Sequence, residues 1–397
     1  MNLKSGYPYW LVKNGLLYDY PKLDHDLKTD VTIMGGGISG ALTAHYLTEA
    51  GMSCVVVDSH SIGLGSTCAS TSLLQYELDH PLSELIKAIG KNAAQRSYLL
   101  CNDAIDELEK ISHQLKFTSF KKNKSLYFSA STRDVAALHK EFEERKKCGL
   151  SVHLLDKTEI KKKYGFDSGA AILSDQGAST DAYSFAHALH QFNKKKGLKI
   201  FDRTRVTKME RKRKKLQLVT KEGCKIKTQF VVNATGYEAA KDLPKKMVEF
   251  SSTYAIASEN LSSGEIWKDR AMMWNTADPY LYLRPTSENR IIIGGRDEPF
   301  RKTSSSDRLI EKKSVQLRKD FSKMFPTISF IPEFSWCGTF VSTRDSLPYI
   351  GLKNDSVYHA LGFGGNGIVF SLIAAQLITD MILGKKNNNE ALFSFNR

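Results

Sequence analysis

The feature that most constrains the fold of this chain is a glycine-rich turn between a β-branched run and a helical pattern. The run DVTIM leads into GGGISGAL, which places Gly35, Gly37 and Gly40 in the spacing G-x-G-x-x-G. A second β-branched run, CVVVD, follows the helical pattern and ends on Asp58. Strand, helix and strand in about thirty residues predict a parallel, right-handed βαβ unit.

Each residue type in this turn suits dinucleotide binding. The first glycine permits a tight turn, the second lets the backbone approach a pyrophosphate, and the third lets the helix pack closely on the strand. The helix N-terminus offers N–H groups and a partial positive charge to the phosphates. Asp58 can accept hydrogen bonds from a ribose hydroxyl, and it would repel the 2′-phosphate of NADP. A glycine-rich turn without a ligand is the structural alternative.

Two later clusters of small residues favour FAD over NAD. NATG (Asn233 to Gly236) follows a buried strand, and GFGGNG (Gly362 to Gly367) precedes the apolar stretch GIVFSLIAAQLITDMIL. FAD is long enough to contact all three glycine-rich segments, and the last helix could direct its positive end at the flavin pyrimidine ring. Ser, Gln, Thr and Asp interrupt the apolar stretch, which predicts a buried helix rather than a membrane span.

The charge and the cysteine content limit which partners and which metal or disulfide sites the chain can have. The chain has 397 residues, with 57 Lys and Arg against 43 Asp and Glu, so its net charge of +14 would suit a nucleic acid or another anionic partner. The excess is scattered, however, and the dense run RKRKK (Arg211 to Lys215) lies between short β-like segments, which favours a charged hairpin end. Six cysteines without a C-x-x-C pair indicate neither a zinc site nor a disulfide framework. Because the N-terminus shows no signal peptide, we expect a cytoplasmic protein. The scattered charge and the interrupted apolar stretch argue against a nucleic-acid partner and against a membrane.

Eight segments, in order, resemble the family of FAD-dependent amine and amino-acid oxidoreductases that includes glycine oxidase, D-amino acid oxidase, sarcosine oxidase and γ-glutamylputrescine oxidase. They are DVTIMGGGISGALTAHYL, CVVVD, GLGSTCAST, DAYSFAHAL, VVNATGYEA, YLYLRPTSENRIIIGG, TRDSLPYIG and GFGGNGI. The resemblance implies an α/β fold: a Rossmann-like FAD-binding domain of the glutathione-reductase type, assembled from discontinuous segments, and an α+β substrate domain with a mostly antiparallel sheet. We expect an N-terminal arm (1–29), an FAD-binding domain (30–85, 168–250 and 336–397) and a substrate domain (86–167 and 251–335).

The resemblance also implies an activity. Members of the family oxidise a C–N bond of an amine or amino acid by hydride transfer to flavin N5, and the resulting imine is hydrolysed. The reduced flavin then passes its electrons to oxygen or to another acceptor. The cofactor-binding positions that match the family are Gly35, Gly37, Ile38, Ser39, Gly40, Asp58, Ser59, Ser66, Thr67, Ser70, Thr71, Val206, Ala234, Gly236, Asp345, Gly364, Gly365, Asn366, Gly367 and Ile368.

The segment WCGTFVSTRDSLPYIG departs from the family at one position. Glycine oxidase-like sequences carry there an Arg that pairs with the substrate carboxylate, whereas this chain has Phe340. A guanidinium fork and a benzyl ring are not interchangeable. Either the substrate is an amine without that carboxylate, or another cation replaces the Arg. Arg284 is the first candidate, followed by Arg344 and Arg296, although pairing of Arg344 with Asp345 is the favoured alternative for that side chain.

The remaining substrate and cofactor predictions also follow from the resemblance. Tyr280, Tyr282 and, more weakly, Tyr254 are candidate substrate contacts, since an aromatic wall suits an amine. Cys337 lies one position from the residue that binds flavin covalently in sarcosine oxidases, so we expect non-covalent FAD. Ile292 stands where those oxidases carry a Lys that promotes reaction with oxygen, which leaves the electron acceptor open.

Two alternative functions stay open at this stage. One is a tRNA-modifying flavin oxidoreductase that acts on a carboxymethylaminomethyl group, which the net charge would suit. The other is a flavoprotein without catalysis. The sequence indicates no catalytic base and leaves the substrate and the oligomeric state undetermined.

Overall fold

A parallel sheet forms the first layer of the protein. The computed structural model describes residues 4–212, 215–244, 247–300, 307–354, 356–361 and 363–397. Within these residues the sheet has six strands, in the spatial order Lys199–Phe201, Cys54–Val57, Val31–Met34, Phe230–Asn233, Val357–Leu361 and Tyr349–Asn354. The last strand pairs antiparallel at the edge, and the other pairings are parallel. The predicted βαβ unit is therefore confirmed as its central part.

Both faces of the parallel sheet are covered, as its buried β-branched strands require. On one face lie the helices Ile38–Glu49, Ala182–Lys194 and Gly367–Ile382. The other face packs on a smaller sheet whose strands, in order, are Val206–Lys212, Lys215–Thr220, Lys225–Thr228 and Leu27–Lys28. The basic run lies at a hairpin end, since Lys212 pairs with Lys215, while Arg213 and Lys214 are outside the described residues.

The apolar C-terminal helix is a core element. The stretch Gly364–Ile382 is long and apolar enough to cross a membrane, but most of it is buried within the fold. The helix Gly367–Ile382 packs against Ile38–Glu49 and against the long helix Lys91–Gln114. The prediction of a buried helix is confirmed.

A large, mostly antiparallel sheet forms the second layer. Its strands, in spatial order and counted over the described ranges, are Lys4–Gly6, Pro332–Thr343, Val248–Ser258, Ile291–Pro299, Tyr282–Pro285, Met272–Asn275, Ser125–Phe128, Ala170–Ser174 and Val152–Asp156. The helix Asp307–Met324 packs on one face, here called the back face, together with Lys157–Tyr164. The opposite, front face bears Thr253, Ala255 and Gly338 and looks toward the parallel sheet.

Shorter elements connect the two layers. The helices are Tyr9–Asn14, Ser66–Ala69, Leu82–Ile89, Val135–Lys147 and Glu390–Phe393, and the 3-10 helices are Thr132–Asp134, Gly236–Asp242, Ser263–Glu265 and Gly364–Asn366. A small sheet joins Leu73–Leu74, Ala178–Ser179 and Lys121–Lys122.

The layers differ from the predicted domain boundaries in several segments. Lys4–Gly6, in the predicted arm, is an edge strand of the large sheet, and Ala170–Ser174 and the whole of Pro332–Thr343 also pair into that sheet. Conversely, the helix Lys91–Gln114, predicted in the substrate domain, packs in the core beside the parallel sheet. The apolar stripe of this helix, which includes Tyr98, packs against the apolar C-terminal helix. This packing places the helix beside the parallel sheet, although the chain segments around it were assigned to the substrate domain.

Candidate active site

A cleft lies where the carboxyl ends of the parallel strands meet the front face of the large sheet. It encloses about 580 Å³, within the range of roughly 300–1,000 Å³ typical of small-molecule sites. Most of the predicted site residues line it: Gly35, Gly37, Ile38, Ser39, Asp58, Ser59, Ser66, Thr67, Ser70, Thr71, Val206, Ala234, Gly236, Tyr280, Tyr282, Phe340, Gly364, Gly365, Gly367 and Ile368. The cleft thus brings together residues from both layers.

The glycine-rich turn forms the floor of the cleft. Gly35 has φ +104°, and a Cβ there would overlap the carbonyl oxygen of Ala234. Gly40 is different, because a Cβ on it would overlap the carbonyl oxygen of Gly35 beneath the turn. Gly40 therefore lets the helix pack closely on the turn and does not line the cleft, and its predicted contact with a pyrophosphate stays a prediction.

Asp58 fixes the turn while facing the cleft. Its Oδ2 accepts a hydrogen bond from the Gly36 amide at 2.7 Å, and its Oδ1 accepts one from the His60 amide at 2.9 Å. Burial raises the pKa of the Asp58 carboxyl, and these two hydrogen bonds oppose the shift. The carboxylate therefore has a structural task in addition to any contact with a ribose.

The segment after the second strand supplies hydroxyl groups with different tasks. Thr67 Oγ1 accepts a hydrogen bond from the Ile38 amide at 3.0 Å and so caps the helix Ile38–Glu49, here called the glycine-turn helix. Ser70 Oγ accepts one from Ser72 and is used within its own turn. Ser66 Oγ is buried without a hydrogen-bond partner among the described residues, although Ser66 lines the cleft.

The C-terminal glycine run closes another side of the cleft. The Gly365 amide donates to Asp79 Oδ2 at 3.2 Å, and Tyr237 donates from its hydroxyl to the Gly364 carbonyl at 3.3 Å. Asn366 donates both amide hydrogens elsewhere, to the carbonyls of Gln75 and Glu77. The side-chain N–H groups of Asn366 thus hold a neighbouring segment, and its predicted contact with the flavin stays a prediction. Gly362 lies outside the described residues.

Aromatic side chains form the wall on the large sheet. Tyr280 and Tyr282 lie with ring centroids 5.8 Å apart. The Tyr280 hydroxyl donates to Asp79 Oδ1 at 3.1 Å, and the Tyr282 hydroxyl lies 3.1 Å from Thr253 Oγ1. Burial raises the pKa of both phenols, so they stay neutral. Phe340 lines the same cleft from the strand Pro332–Thr343, which two other strands of the sheet separate from the strand of Tyr282.

Arg284 is not available as a substrate cation. The side chain is 3% exposed and lies beneath the Trp10 ring, 5.1 Å from its centroid. Its Nε donates to the Thr71 carbonyl at 2.7 Å and its Nη2 to the Thr180 carbonyl at 2.8 Å. Burial lowers the pKa of this guanidinium to about 10. The prediction was wrong because Arg284, although on the face that carries Tyr282, lies two residues further along the strand, under the helix Tyr9–Asn14, here called the arm helix.

Tyr254 is also misplaced in the prediction. It is buried on the back face, where Lys313 lies 5.2 Å from its ring centroid, while its neighbours Thr253 and Ala255 line the cleft. Alternation along a strand places adjacent side chains on opposite faces. Tyr254 is therefore a core residue of the back face.

The two other candidate substrate cations, Arg344 and Arg296, do not line the cleft either. Asp345 pairs with Arg397 through two contacts, 2.8 Å and 3.0 Å long, and not with Arg344, which is exposed. Asp345 does not line the cleft, so its predicted cofactor contact is wrong; the turn directs the carboxylate toward the C-terminus. Arg296 pairs with Asp320 on the back face.

Cys337 lies away from the cleft. The side chain belongs to the back-face cluster, and burial raises the pKa of its thiol to about 12. A buried thiol with a raised pKa is a poor nucleophile. These observations support the prediction that Cys337 forms no bond to a flavin.

Three cleft features were missed in the sequence analysis. Lys4 lines the cleft from an edge strand, where it pairs with Gly338. Asp79 meets the aromatic wall, and Asp297 lines the cleft beside it. Lys4 and Asp79 lie in segments without a recognised motif, and Asp297 is directed into the cleft by a strand irregularity that periodicity does not show.

The residues present fit a dinucleotide such as FAD. A Cβ on Gly37 would lie 2.7 Å from Thr67 Oγ1, so the second glycine keeps the backbone open to the cleft. The buried, unpartnered hydroxyl of Ser66 is a free donor for a phosphate oxygen. Thr67 binds the Ile38 amide at the start of this helix, and the partial positive charge of the helix N-terminus favours an anion. No cluster of three metal-ligating side chains occurs among the residues described here.

Comparison with known proteins agrees with this geometry. Residues 30–381 match the DAO family of FAD dependent oxidoreductases, and the chain belongs to this family. It is 26% identical over 98% of its length to a putative Rieske 2Fe-2S iron-sulfur protein of Bacillus subtilis, of which it covers 75%. It is 21% identical over 94% of its length to the γ-glutamylputrescine oxidoreductase of Escherichia coli, of which it covers 88%.

The fold comparison gives the same result. The glycine oxidase structure from Geobacillus kaustophilus superposes with a TM-score of 0.79 at 19% identity, over 94% of this chain and 99% of that one. The mixed α/β fold with a Rossmann-like part and a large mixed sheet is confirmed. The protein is thus an FAD-dependent oxidoreductase, as the resemblance implied.

Proposed function

We propose that this enzyme oxidises the C–N bond of a small amine that has no carboxylate beside the reacting carbon. The observation that carries the proposal is Phe340, which lines the same cleft as the two tyrosines at the position of the family arginine, while no arginine occurs among the described lining residues of the large sheet. Buried Arg284, which could have replaced the missing cation, donates to main-chain carbonyls instead.

The aromatic wall supports an amine as the ligand. An ammonium group is attracted to the faces of aromatic rings, and the attraction grows when water is excluded. Tyr280 and Tyr282 present such rings, and their hydroxyls are held by Asp79 and Thr253. The wall is therefore rigid, which lowers the entropic cost of orienting a small substrate.

The chemistry requires few protein groups. FAD, when bound, supplies the acceptor for the hydride of the substrate C–H bond. The substrate carbon loses that hydride and the nitrogen loses a proton, which leaves an imine; water then converts the imine to a carbonyl compound and a free amine or ammonia. The protein has to bind, orient and desolvate the amine.

The relatives agree with this class of reaction but differ in substrate. By their names, one acts on γ-glutamylputrescine and another on glycine. The first is an amine substrate and the second an α-amino acid, so the family accommodates both. The Phe at position 340 favours the amine in this chain.

The proposal is tested with the purified FAD-loaded protein. Anaerobic addition of butylamine or benzylamine should bleach the flavin absorbance, and turnover with either, in the presence of oxygen or an artificial electron acceptor, should give one aldehyde and one ammonia per amine consumed. A protein that binds FAD and is bleached by neither these amines nor amino acids would contradict an oxidoreductase role for the cleft. Salt-dependent tRNA binding with a steep slope would instead favour the tRNA-modifying alternative.

A further inference from the structure

A β-bulge in the large sheet directs a carboxylate into the cleft. Along the pair of strands Val248–Ser258 and Ile291–Pro299, Tyr254 is opposite Gly295 and Ser252 is opposite Glu298. The second strand therefore has one extra residue at this point, where Gly295 and Arg296 both have positive φ. Bulges of this kind re-aim side chains next to functional sites.

The bulge decides which charge faces the cleft. With regular alternation from Ile292 and Gly294, which face the front, Arg296 would face the cleft. Instead Arg296 pairs with Asp320 and Glu298 pairs with Lys313, both on the back-face helix. Asp297, between them, lines the cleft.

The Asp297 carboxylate is incompletely satisfied there. Its Oδ1 is buried and has no hydrogen-bond partner in the part of the chain that the structure describes. Thr253, which also contacts the Tyr282 hydroxyl, forms a hydrogen bond with the carboxyl group. A buried carboxylate oxygen without a donor is costly unless a ligand or an ion supplies one.

We propose that Asp297 binds the positively charged amino group of the substrate and makes the cleft selective for amines over α-amino acids. The inference rests on the proposed function, because it names the contact that recognises that amine. Asp297 and the aromatic rings of Tyr280 and Tyr282 together form a cation site. The carboxylate of an α-amino acid would be repelled by Asp297 and would lack the arginine that Phe340 replaces.

The charges around Asp297 set the pH dependence of this contact. Burial raises the pKa of Asp297 to about 6, and the nearby acidic groups add to the shift while Lys313 opposes it. The ionised form is needed to bind a cation, so affinity is expected to fall as the pH decreases below about 6. The charged and titratable groups that interact with Asp297 are Asp79, Asp278, Lys313, Tyr280, Tyr282 and Cys337.

The test compares two charge-neutralising variants of adjacent residues in the FAD-loaded protein. Asp297→Asn removes the cleft carboxylate, and Glu298→Gln removes a carboxylate from the back face. The binding probe is tert-butylamine, which has no hydrogen on the carbon beside nitrogen and cannot be oxidised. Its dissociation constant is measured by calorimetry from pH 5 to pH 8, and kcat/KM is measured with butylamine, benzylamine, glycine and D-alanine.

We expect Asp297→Asn to weaken tert-butylamine binding at least about 30-fold and to lower kcat/KM for the amines by a similar factor. Glu298→Gln should stay within about twofold of the wild type, because its side chain lies outside the cleft. Wild-type affinity should decrease about tenfold per pH unit below the pKa of Asp297, and Asp297→Asn should lose this dependence.

The outcomes separate the inference from the proposed function. If butylamine or benzylamine reduces the wild-type flavin but Asp297→Asn behaves like Glu298→Gln, the inference is overturned and the proposed function stands. If only the amino acids reduce the flavin, both the proposed amine specificity and the inference about Asp297 are overturned. If neither class reduces it, both proposals fail. Should Asp297→Asn not fold, Asp297→Glu and the wild-type pH profile decide, and a flat profile between pH 5 and pH 8 overturns the inference.

Discussion

Thr67 accepts a hydrogen bond from the backbone N–H of Ile38 at a distance of 3.0 Å. This contact joins the loop after the second parallel strand to the first turn of the glycine-turn helix. It satisfies one of the N–H groups that every helix leaves unpaired at its start. The phosphate side of the cleft is therefore held by a side chain as well as by glycines.

Replacing Thr67 by Val should weaken FAD binding. The change removes the cap and should lower the free energy of unfolding by about 1 kcal/mol, and FAD affinity should fall about fivefold if the loop moves with it. Fluorescence titration of the apoprotein with FAD measures the affinity. Thr48→Val is the control, since Thr48 Oγ1, on the same helix, is buried without a partner among the described residues. Equal FAD affinity in both variants would contradict a role for the cap.

Replacing Arg284 by Met should destabilise the protein. The change leaves the carbonyls of Thr71 and Thr180 without their donor, so the free energy of unfolding should decrease by about 2–4 kcal/mol. Urea unfolding of the FAD-loaded protein measures the loss. A variant of unchanged stability that fails to oxidise its substrate would instead return Arg284 to the substrate site.

The Asp345–Arg397 pair should contribute stability that depends on pH. Burial alone would raise the pKa of Asp345, but Arg397 outweighs it and holds the pKa below its ordinary value. The side chains are 18% and 13% exposed. A depressed carboxyl pKa gives stability that is complete above the unfolded-state pKa of about 3.9 and is lost as the pH falls through the folded pKa.

Asp345→Asn should therefore lower the free energy of unfolding by about 1–2 kcal/mol at pH 7. The difference from the wild type should shrink as the pH is lowered from 5. Thermal melts over this pH range measure it, with Arg397→Met as the partner change. Losses that add fully in the double variant would show that the two side chains do not interact.

Replacing Phe340 by Arg should increase activity on small amino acids. The new guanidinium would supply the carboxylate contact that the family motif otherwise provides. Asp297 would compete for it, so the gain in kcat/KM for glycine should be larger when Asp297→Asn is also present. Steady-state kinetics of the two single variants and the double variant measure this coupling. No gain in either background would mean that position 340 does not correspond to the family arginine.

The sequence predicted the parts of the site that depend on local chemistry. The glycine turn and Asp58 follow from backbone requirements within one βαβ unit, and the order of motifs along the chain is specific to the family. Thr67 was predicted as a site residue, although its partner Ile38 could be named only from the structure. The positions of such residues can be predicted because they depend little on distant parts of the chain.

The errors arose where tertiary packing decides a side chain's surroundings. Arg284 faces the same way as Tyr282, but the arm helix that covers it comes from the other end of the chain. Asp345 pairs with Arg397, 52 residues away. Asp297 faces the cleft only because a bulge reverses the alternation of its strand. None of these contacts leaves a periodic signal in the sequence.

The central claim is that this FAD enzyme oxidises an amine that has no carboxylate beside the reacting carbon, rather than an α-amino acid. The most direct measurement is the anaerobic rate constant of flavin reduction by two pairs of compounds that differ only in the carboxylate: ethylamine with alanine, and benzylamine with phenylglycine. Both enantiomers of each amino acid are included. We expect each amine to reduce the flavin faster than either enantiomer of its partner. Faster reduction by alanine or phenylglycine would contradict the claim.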